Sequence, residues 1–231
     1  MMNTALVTGA SRGIGKAIAI RLSTLGYRVF LLGRDSTALE SVVEACANNA
    51  AAFSLAGDVQ YPAFMDAAVE QAEAHLGQID VLVNNAGTAI GGPVQTADLA
   101  AWRTVLDVNF NSAVHLSRRV LPAMIDRKYG AILNISSLSG RHTDAGNAIY
   151  AATKHAMNGF SGCLYEDVRD YGIKVSTIMP GYVDTALTAR LRKQAENMIR
   201  PDDIADAVAF VLSSSATCCP TEIVIRPQRR P

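Results

Sequence analysis

The 231-residue chain has no excess of either charge: Lys plus Arg and Asp plus Glu each number 21. Proteins that read nucleic acid ordinarily carry a basic excess, so that class of partner is not expected. The one basic cluster, Arg226 to Arg230, reads as a solvated end. Cysteine is scarce. Cys46, Cys163, Cys218 and Cys219 fit no zinc spacing, and the adjacent pair makes a poor disulfide framework. Reduced thiols in a cytoplasmic protein are the expectation. The four histidines show no metal-ligand spacing either, so no metal is expected. No apolar run approaches the roughly 20 residues of a membrane span. No basic region precedes an apolar stretch at Met1-Met2-Asn3-Thr4, so no signal peptide is expected.

What is present is 49% hydrophobic composition, enough for one α/β domain with a full core. Short apolar runs alternate with amphipathic stretches. Strands are expected at Ala5 to Val7, Val29 to Leu32, Ala52 to Leu55, Val81 to Val83, Ala131 to Ile135, Lys174 to Ile178 and Glu222 to Ile225. Helices are expected at Ile14 to Leu25, from a Thr37–Glu40 capping box to about Asn48, and at Pro62 to Leu76. Further helices are expected at Leu99 to Met124, Ala148 to Asp170 and Asp202 to Leu212. Continuous apolar strands, each followed by a helix, predict a doubly wound, Rossmann-type parallel sheet covered on both faces. No linker or low-complexity tract divides residues 1–231, which read as a single dinucleotide-binding and catalytic domain.

Directly after the first strand stands Thr8-Gly9-Ala10-Ser11-Arg12-Gly13-Ile14-Gly15. Glycine adopts backbone angles other residues avoid and lets a pyrophosphate approach closely. The following helix offers that anion unpaired N–H groups and a positive dipole end. Gly9, Ser11, Arg12, Gly13, Ile14 and Gly15 are thus candidate cofactor contacts. An acidic residue closing the second strand would bind a ribose 2′-hydroxyl and repel a 2′-phosphate. Here Arg34 takes that neighbourhood, with Arg12 in the loop and Asp35 one residue on. Two guanidinium groups near one spot suit a phosphate, which favours NADP(H) over NAD(H).

Tyr150 and Lys154 are four apart in a helical segment, one turn apart on one face. A phenol with an ordinary pKa of about 10 exchanges protons poorly near neutrality. A fixed ammonium, aided by a positively charged nicotinamide, is expected to lower it, and reaching neutrality requires about 4 kcal/mol of differential stabilisation. Ser136 and Ser137 close the fifth strand, where open α/β sheets place their ligands. A hydroxyl there can donate to a carbonyl oxygen as charge develops.

Together these residues resemble the short-chain dehydrogenase/reductase family over nearly the whole length. The resemblance rests on Thr8-Gly9-x-x-x-Gly13-x-Gly15, Asp58-Val59, Asn84-Asn85-Ala86-Gly87, Asn109, Ser137, Tyr150-x-x-x-Lys154 and Pro180-Gly181. It implies hydride transfer between NADP(H) and a small carbonyl or alcohol, with Tyr150 as acid or base. It implies that Lys154 lowers the Tyr150 pKa and holds the nicotinamide ribose. Ser137, rather than Ser136, would polarise the carbonyl, and Asn109 would anchor a water that relays protons through Lys154. Asp58 and Val59 would flank the adenine. Asn85, Ala86 and Gly87 would line the cofactor, and Asn84 would brace the sheet. Pro180, Gly181, Val183 and Thr185 would sit against the nicotinamide. Residues of about 182–200 would form a substrate lid, with Leu138 to Ile149 and Tyr182 to Leu191 shaping the pocket. A homodimer or homotetramer is implied, with the helices from Leu99 and Ala148 pairing across a two-fold axis. A 3-oxoacyl carrier-protein reductase, with Arg141, Arg190, Arg192 and Lys193 as carrier contacts, is an alternative. A binding module that senses NADP redox state is another.

Overall fold

The computed structural model describes residues 3–47, 50–189 and 194–231. Seven strands form one sheet: β1 Thr4–Thr8, β2 Arg28–Gly33, β3 Ala52–Ala56, β4 Val81–Asn84, β5 Gly130–Ile135, β6 Ile173–Pro180 and β7 Glu222–Ile225. Their order is β3-β2-β1-β4-β5-β6-β7, and every pairing is parallel. Parallel neighbours require crossovers, which the helices supply. These are α1 Gly13–Thr24, α2 Ser36–Ala47, α3 Pro62–Leu76, α4 Leu99–Leu106, α5 Ser112–Arg127, α6 Ala148–Val168 and α7 Pro201–Ser213.

Successive strand side chains point to opposite faces. Ala5, Val7, Val29, Leu31, Val81 and Val83 therefore share one core with Ile18 and Leu22 of α1 and Ile204 and Val208 of α7. Leu6, Phe30, Leu32, Leu82 and Ile132 pack on the other face against α3, α5 and α6. Both faces are buried, which is why the strands carry unbroken apolar runs rather than alternating ones. The chain winds outward from β1 through β2 to β3, then returns to β4 on the other side of β1. The strand order reverses between β1 and β4, and the carboxyl ends of those strands leave a crevice there.

Two local expectations change. Thr37 does not cap α2: the helix begins one residue earlier, and Asp35 Oδ1 accepts the Ala38 N–H at 3.0 Å. Aspartate is a better cap than threonine, and Asp35 stands just before the first turn. The expected end of that helix at Asn48 lies outside the described residues. The helix expected over Leu99 to Met124 is interrupted by one wide π-turn at Asp107–Asn111, between α4 and α5. Such a turn adds a residue to the coil and re-aims the side chain it carries. Here it drives Asn109 inward, to 1% exposure.

Candidate active site

The crevice is a cavity of about 590 Å³. Gly9, Ser11 and Arg12 line it from the loop after β1, Gly13 and Ile14 from the first turn of α1, and Arg34 and Asp58 from just beyond β2 and β3. Asn85, Ala86 and Gly87 follow β4; Tyr150 and Lys154 come from α6. Val59 and Thr185 also reach it. Of the expected cofactor contacts, Gly15, Pro180, Gly181 and Val183 do not, and of the expected catalytic residues Asn109 and Ser137 do not, whereas Ser136 does. Gly181 donates its N–H to Ile225 O at 2.8 Å, continuing the pairing of β6 with β7, and lies against Pro227. Val183 is buried and bridges to Ile199, which ties the two ends of the lid together. None of residues 138–149 lines the cavity, whereas Asp184 to Leu187 of the lid do. Lys16, Thr88, Thr104 and Val108 line it without having been singled out; Lys16 continues the Arg12 face of α1 one turn on, which its spacing could have revealed.

The phosphate loop is built by close approach. A Cβ on Gly15 would lie 2.2 Å from Gly9 O and 2.5 Å from Asn85 Nδ2, so only glycine fits. Gly9 and Gly13 have φ of 65° and 56°. The floor beneath them is cross-linked: Thr8 Oγ1 accepts the N–H groups of Asn85 and Ala86, each at 2.9 Å. Asn85 Nδ2 donates back to Thr8 O at 2.9 Å. The first turn of α1 has neither a side-chain cap nor an acidic residue, so its N–H groups face the cavity without a competing anion. Arg12 and Arg34 are both exposed on the cavity wall. Arg34 lies 4.0 Å from the Asp58 carboxylate. A cradle shaped for close backbone approach and flanked by two guanidinium groups fits a dinucleotide with a phosphate on its ribose.

On α6, Tyr150 and Lys154 stand one turn apart, with the ammonium 5.7 Å from the centre of the phenol ring. Lys154 is 4% exposed and donates to Ile135 O at 2.9 Å. Burial lowers its pKa from 10.5 to about 8, which leaves it mainly charged near neutrality. The phenol departs from expectation. Burial pushes Tyr150 above its ordinary 10, and the group that pulls it back is the Ser137 hydroxyl, not Lys154. The Lys154 ammonium, 5.7 Å from the ring centre, donates to the Ile135 carbonyl. Ser137 Oγ accepts the Ser139 N–H at 3.1 Å, which leaves its own proton to donate elsewhere. Ser136 lines the cavity and donates its hydroxyl to Asn158 Oδ1 at 2.6 Å.

Asn109 spends its side chain on protein. Its Oδ1 accepts Thr88 N–H at 2.8 Å, and its Nδ2 donates to Thr88 O at 2.9 Å and Thr153 Oγ1 at 3.2 Å. It thereby ties the segment after β4 to α6, three residues beyond Tyr150. Asn84 braces the sheet, donating to Asn134 Oδ1 at 2.8 Å across β4 and β5. Arg141 is paired with Glu222, and Arg190, Leu191, Arg192 and Lys193 lie outside the described residues. Among the described residues, no group of three or more His, Cys, Asp or Glu could hold a metal, and no helix is long and apolar enough to cross a membrane.

A doubly wound sheet with a glycine cradle at its reversal point and a Ser–Tyr–Lys cluster beside it defines a class of nucleotide-dependent oxidoreductases. The family model for short chain dehydrogenases matches residues 3–196, and the chain belongs to that family. It is an oxidoreductase of that family. An uncharacterized oxidoreductase of Staphylococcus saprophyticus is 34% identical over 225 residues, 96% of each chain. A crystal structure of a metagenomic short-chain oxidoreductase in complex with NADP superposes with a TM-score of 0.87 at 38% identity, covering 99% of this chain and 98% of that one. Serine dehydrogenase from Escherichia coli superposes at 0.85 with 31% identity, covering 96% of each.

Proposed function

We propose that the protein is an NADP(H)-dependent oxidoreductase acting on a CH–OH or C=O group, with Tyr150 as the proton donor in reduction and acceptor in oxidation. The observation that carries this reading is the Tyr150 phenol and the buried Lys154 ammonium, one turn apart on α6, lining the same cavity as Arg12 and Arg34. When bound, the nicotinamide supplies or takes the hydride. Tyr150 moves the proton at the substrate oxygen, and Ser137 can donate to the same oxygen as its charge grows. Lys154 donates to the Ile135 carbonyl and, with a pKa still above neutrality, keeps positive potential beside the phenol. Gly9 to Gly15 and the open turn of α1 receive the pyrophosphate, Asp58 and Val59 border the adenine, and Arg12 and Arg34 receive the 2′-phosphate. The NADP complex of the metagenomic relative supports this cofactor.

The same reading places the protein in the cytoplasm as a homodimer or homotetramer. Support for self-association comes from a shallow groove between α5 and α6, lined by Val114, Leu121, Pro122, Phe160 and Leu164. The four cysteines are free thiols, which suits a reducing compartment.

The test is NADPH oxidation over a panel of aldehydes, ketones, keto acids and keto esters, with NADH alongside and serine included in the oxidising direction. Turnover that prefers NADPH is expected. Tyr150→Phe should abolish it while NADPH still binds. Persistent turnover in Tyr150→Phe removes the acid–base assignment, and NADPH binding with no reaction across the panel removes the enzymatic reading.

A further inference from the structure

We propose that Asn158 is a positioning residue that sets the Ser137 hydroxyl against Tyr150 by gripping both ends of the turn that carries Ser137. The inference rests on the catalytic reading of Ser137 and Tyr150 above.

The turn is short. Ser137 precedes a single 3₁₀ turn at Leu138–Gly140, closed by Gly140 N–H on Ser137 O at 2.9 Å. Asn158 reaches both flanks of it with one amide. Its Oδ1 accepts the Ser136 hydroxyl at 2.6 Å, just before Ser137, and its Nδ2 donates to Gly140 O at 2.9 Å, just after the turn. The Lys154 carbonyl is only a longer alternative for Ser136, at 3.3 Å. The turn is also pressed onto α6. A Cβ on Gly140 would lie 2.6 Å from Asn158 Nδ2 and 2.8 Å from Lys154 O, so glycine is what lets it seat there.

Asn158 stands four residues after Lys154 and eight after Tyr150, on the same face of α6. One helix therefore carries the phenol, the ammonium and the anchor for the serine turn. An asparagine suits the anchor because it offers an acceptor and a donor on one planar group, and the two ends of the turn present a hydroxyl and a carbonyl. Within the turn the Ser139 N–H occupies one side of Ser137 Oγ at 3.1 Å, which leaves the hydroxyl proton for a partner outside the turn. If the turn slides, that proton and the phenol separate. A misplacement near 1 Å can cost on the order of a hundredfold in rate.

The experiment is a mutant cycle of Asn158→Ala, Ser137→Ala and the double variant. It is read as kcat on the panel carbonyl that the native protein reduces fastest, as the NADPH dissociation constant, and as the melting temperature. Asn158→Ala is expected to lower kcat by roughly 10- to 100-fold with NADPH affinity unchanged. It should add nothing further once Ser137 is gone, because the two substitutions remove one interaction. Ser136→Ala, which cuts one arm of the grip, should give a smaller loss and the same non-additivity; it carries the test if Asn158→Ala does not fold. Equal factors from Asn158→Ala in both backgrounds, or native kcat in a folded Asn158→Ala, overturn the inference and leave the catalytic reading standing. A Ser137→Ala protein with native kcat, or a native protein that turns over no panel member, overturns both.

Discussion

Gly15→Ala is the sharpest test of the phosphate cradle, because the glycine is there for space alone. Its φ is not positive, so alanine meets no backbone penalty in itself. Its Cβ, however, would sit 2.2 Å from Gly9 O and 2.8 Å from Gly9 C. Separation to even 3.0 Å moves the Gly9 carbonyl by about 0.8 Å. That carbonyl cannot retreat freely, since Asn85 Nδ2 holds it at 3.2 Å and holds Thr8 O beside it. Overpacking of this kind costs about 1–3 kcal/mol. The displaced atoms form the cofactor cradle, so most of that cost falls on binding, and at 1.4 kcal/mol per decade the NADPH dissociation constant rises about 10- to 100-fold. The melting temperature should fall by only a few degrees, at about 2–4 °C per kcal/mol for a chain of this size. NADPH fluorescence titration and thermal melting measure the two effects. Gly26→Ala is the control: its φ is +87° with nothing within 4 Å, so it should lose about 1–2 kcal/mol of stability and no NADPH affinity. Native NADPH affinity in Gly15→Ala, or an equal loss in Gly26→Ala, would refute the reasoning.

Two further substitutions address the charges. The Arg34 side chain is 71% exposed, so Arg34→Glu should leave the melting temperature nearly unchanged. It should raise the KM for NADPH at least about tenfold through lost pairing and added repulsion, with NADH little affected; an unaltered ratio of kcat/KM for the two cofactors would remove Arg34 from the phosphate site. Lys154 predicts a pH dependence. Its folded pKa of about 8 lies below the ordinary 10.5, so between those values the unfolded chain binds more protons and stability rises with pH. Lys154→Met should lose that rise, worth up to roughly 3 kcal/mol across the window. Urea midpoints between about pH 7 and 9.5 would show it, below the range where the raised Tyr150 phenol reverses the slope. Parallel profiles for the two proteins would contradict the burial of a charged amine.

The alternation of apolar strands and helices was legible because each element writes its own period into the chain. The glycine loop was legible because close approach requires glycine at fixed offsets. Other features left no such trace. Asp35 and Thr37 are both good caps, and only the packing of α2 decided between them. The π-turn at Asp107–Asn111 lies within a run of helical composition, and its sole local sign is a polar Asn109 where a buried face falls. Pro180 and Gly181 matched a motif, yet neither lines the cavity, which no property of those two residues could announce.

By itself the sequence determined the doubly wound class, the phosphate loop at its start, and the placing of Tyr150 and Lys154 on one helix face. These are consequences of periodicity and of spacings within a few residues, where bond geometry alone sets who faces whom. The tertiary structure decided that Ser136 is tied to Asn158, that Thr8 is cross-linked to Asn85 77 residues away, and that Asn158 holds the serine turn from both ends. Those partners meet only after the sheet is assembled. Their directions follow from which donors and acceptors packing leaves within reach, and a chain read one segment at a time does not contain that choice.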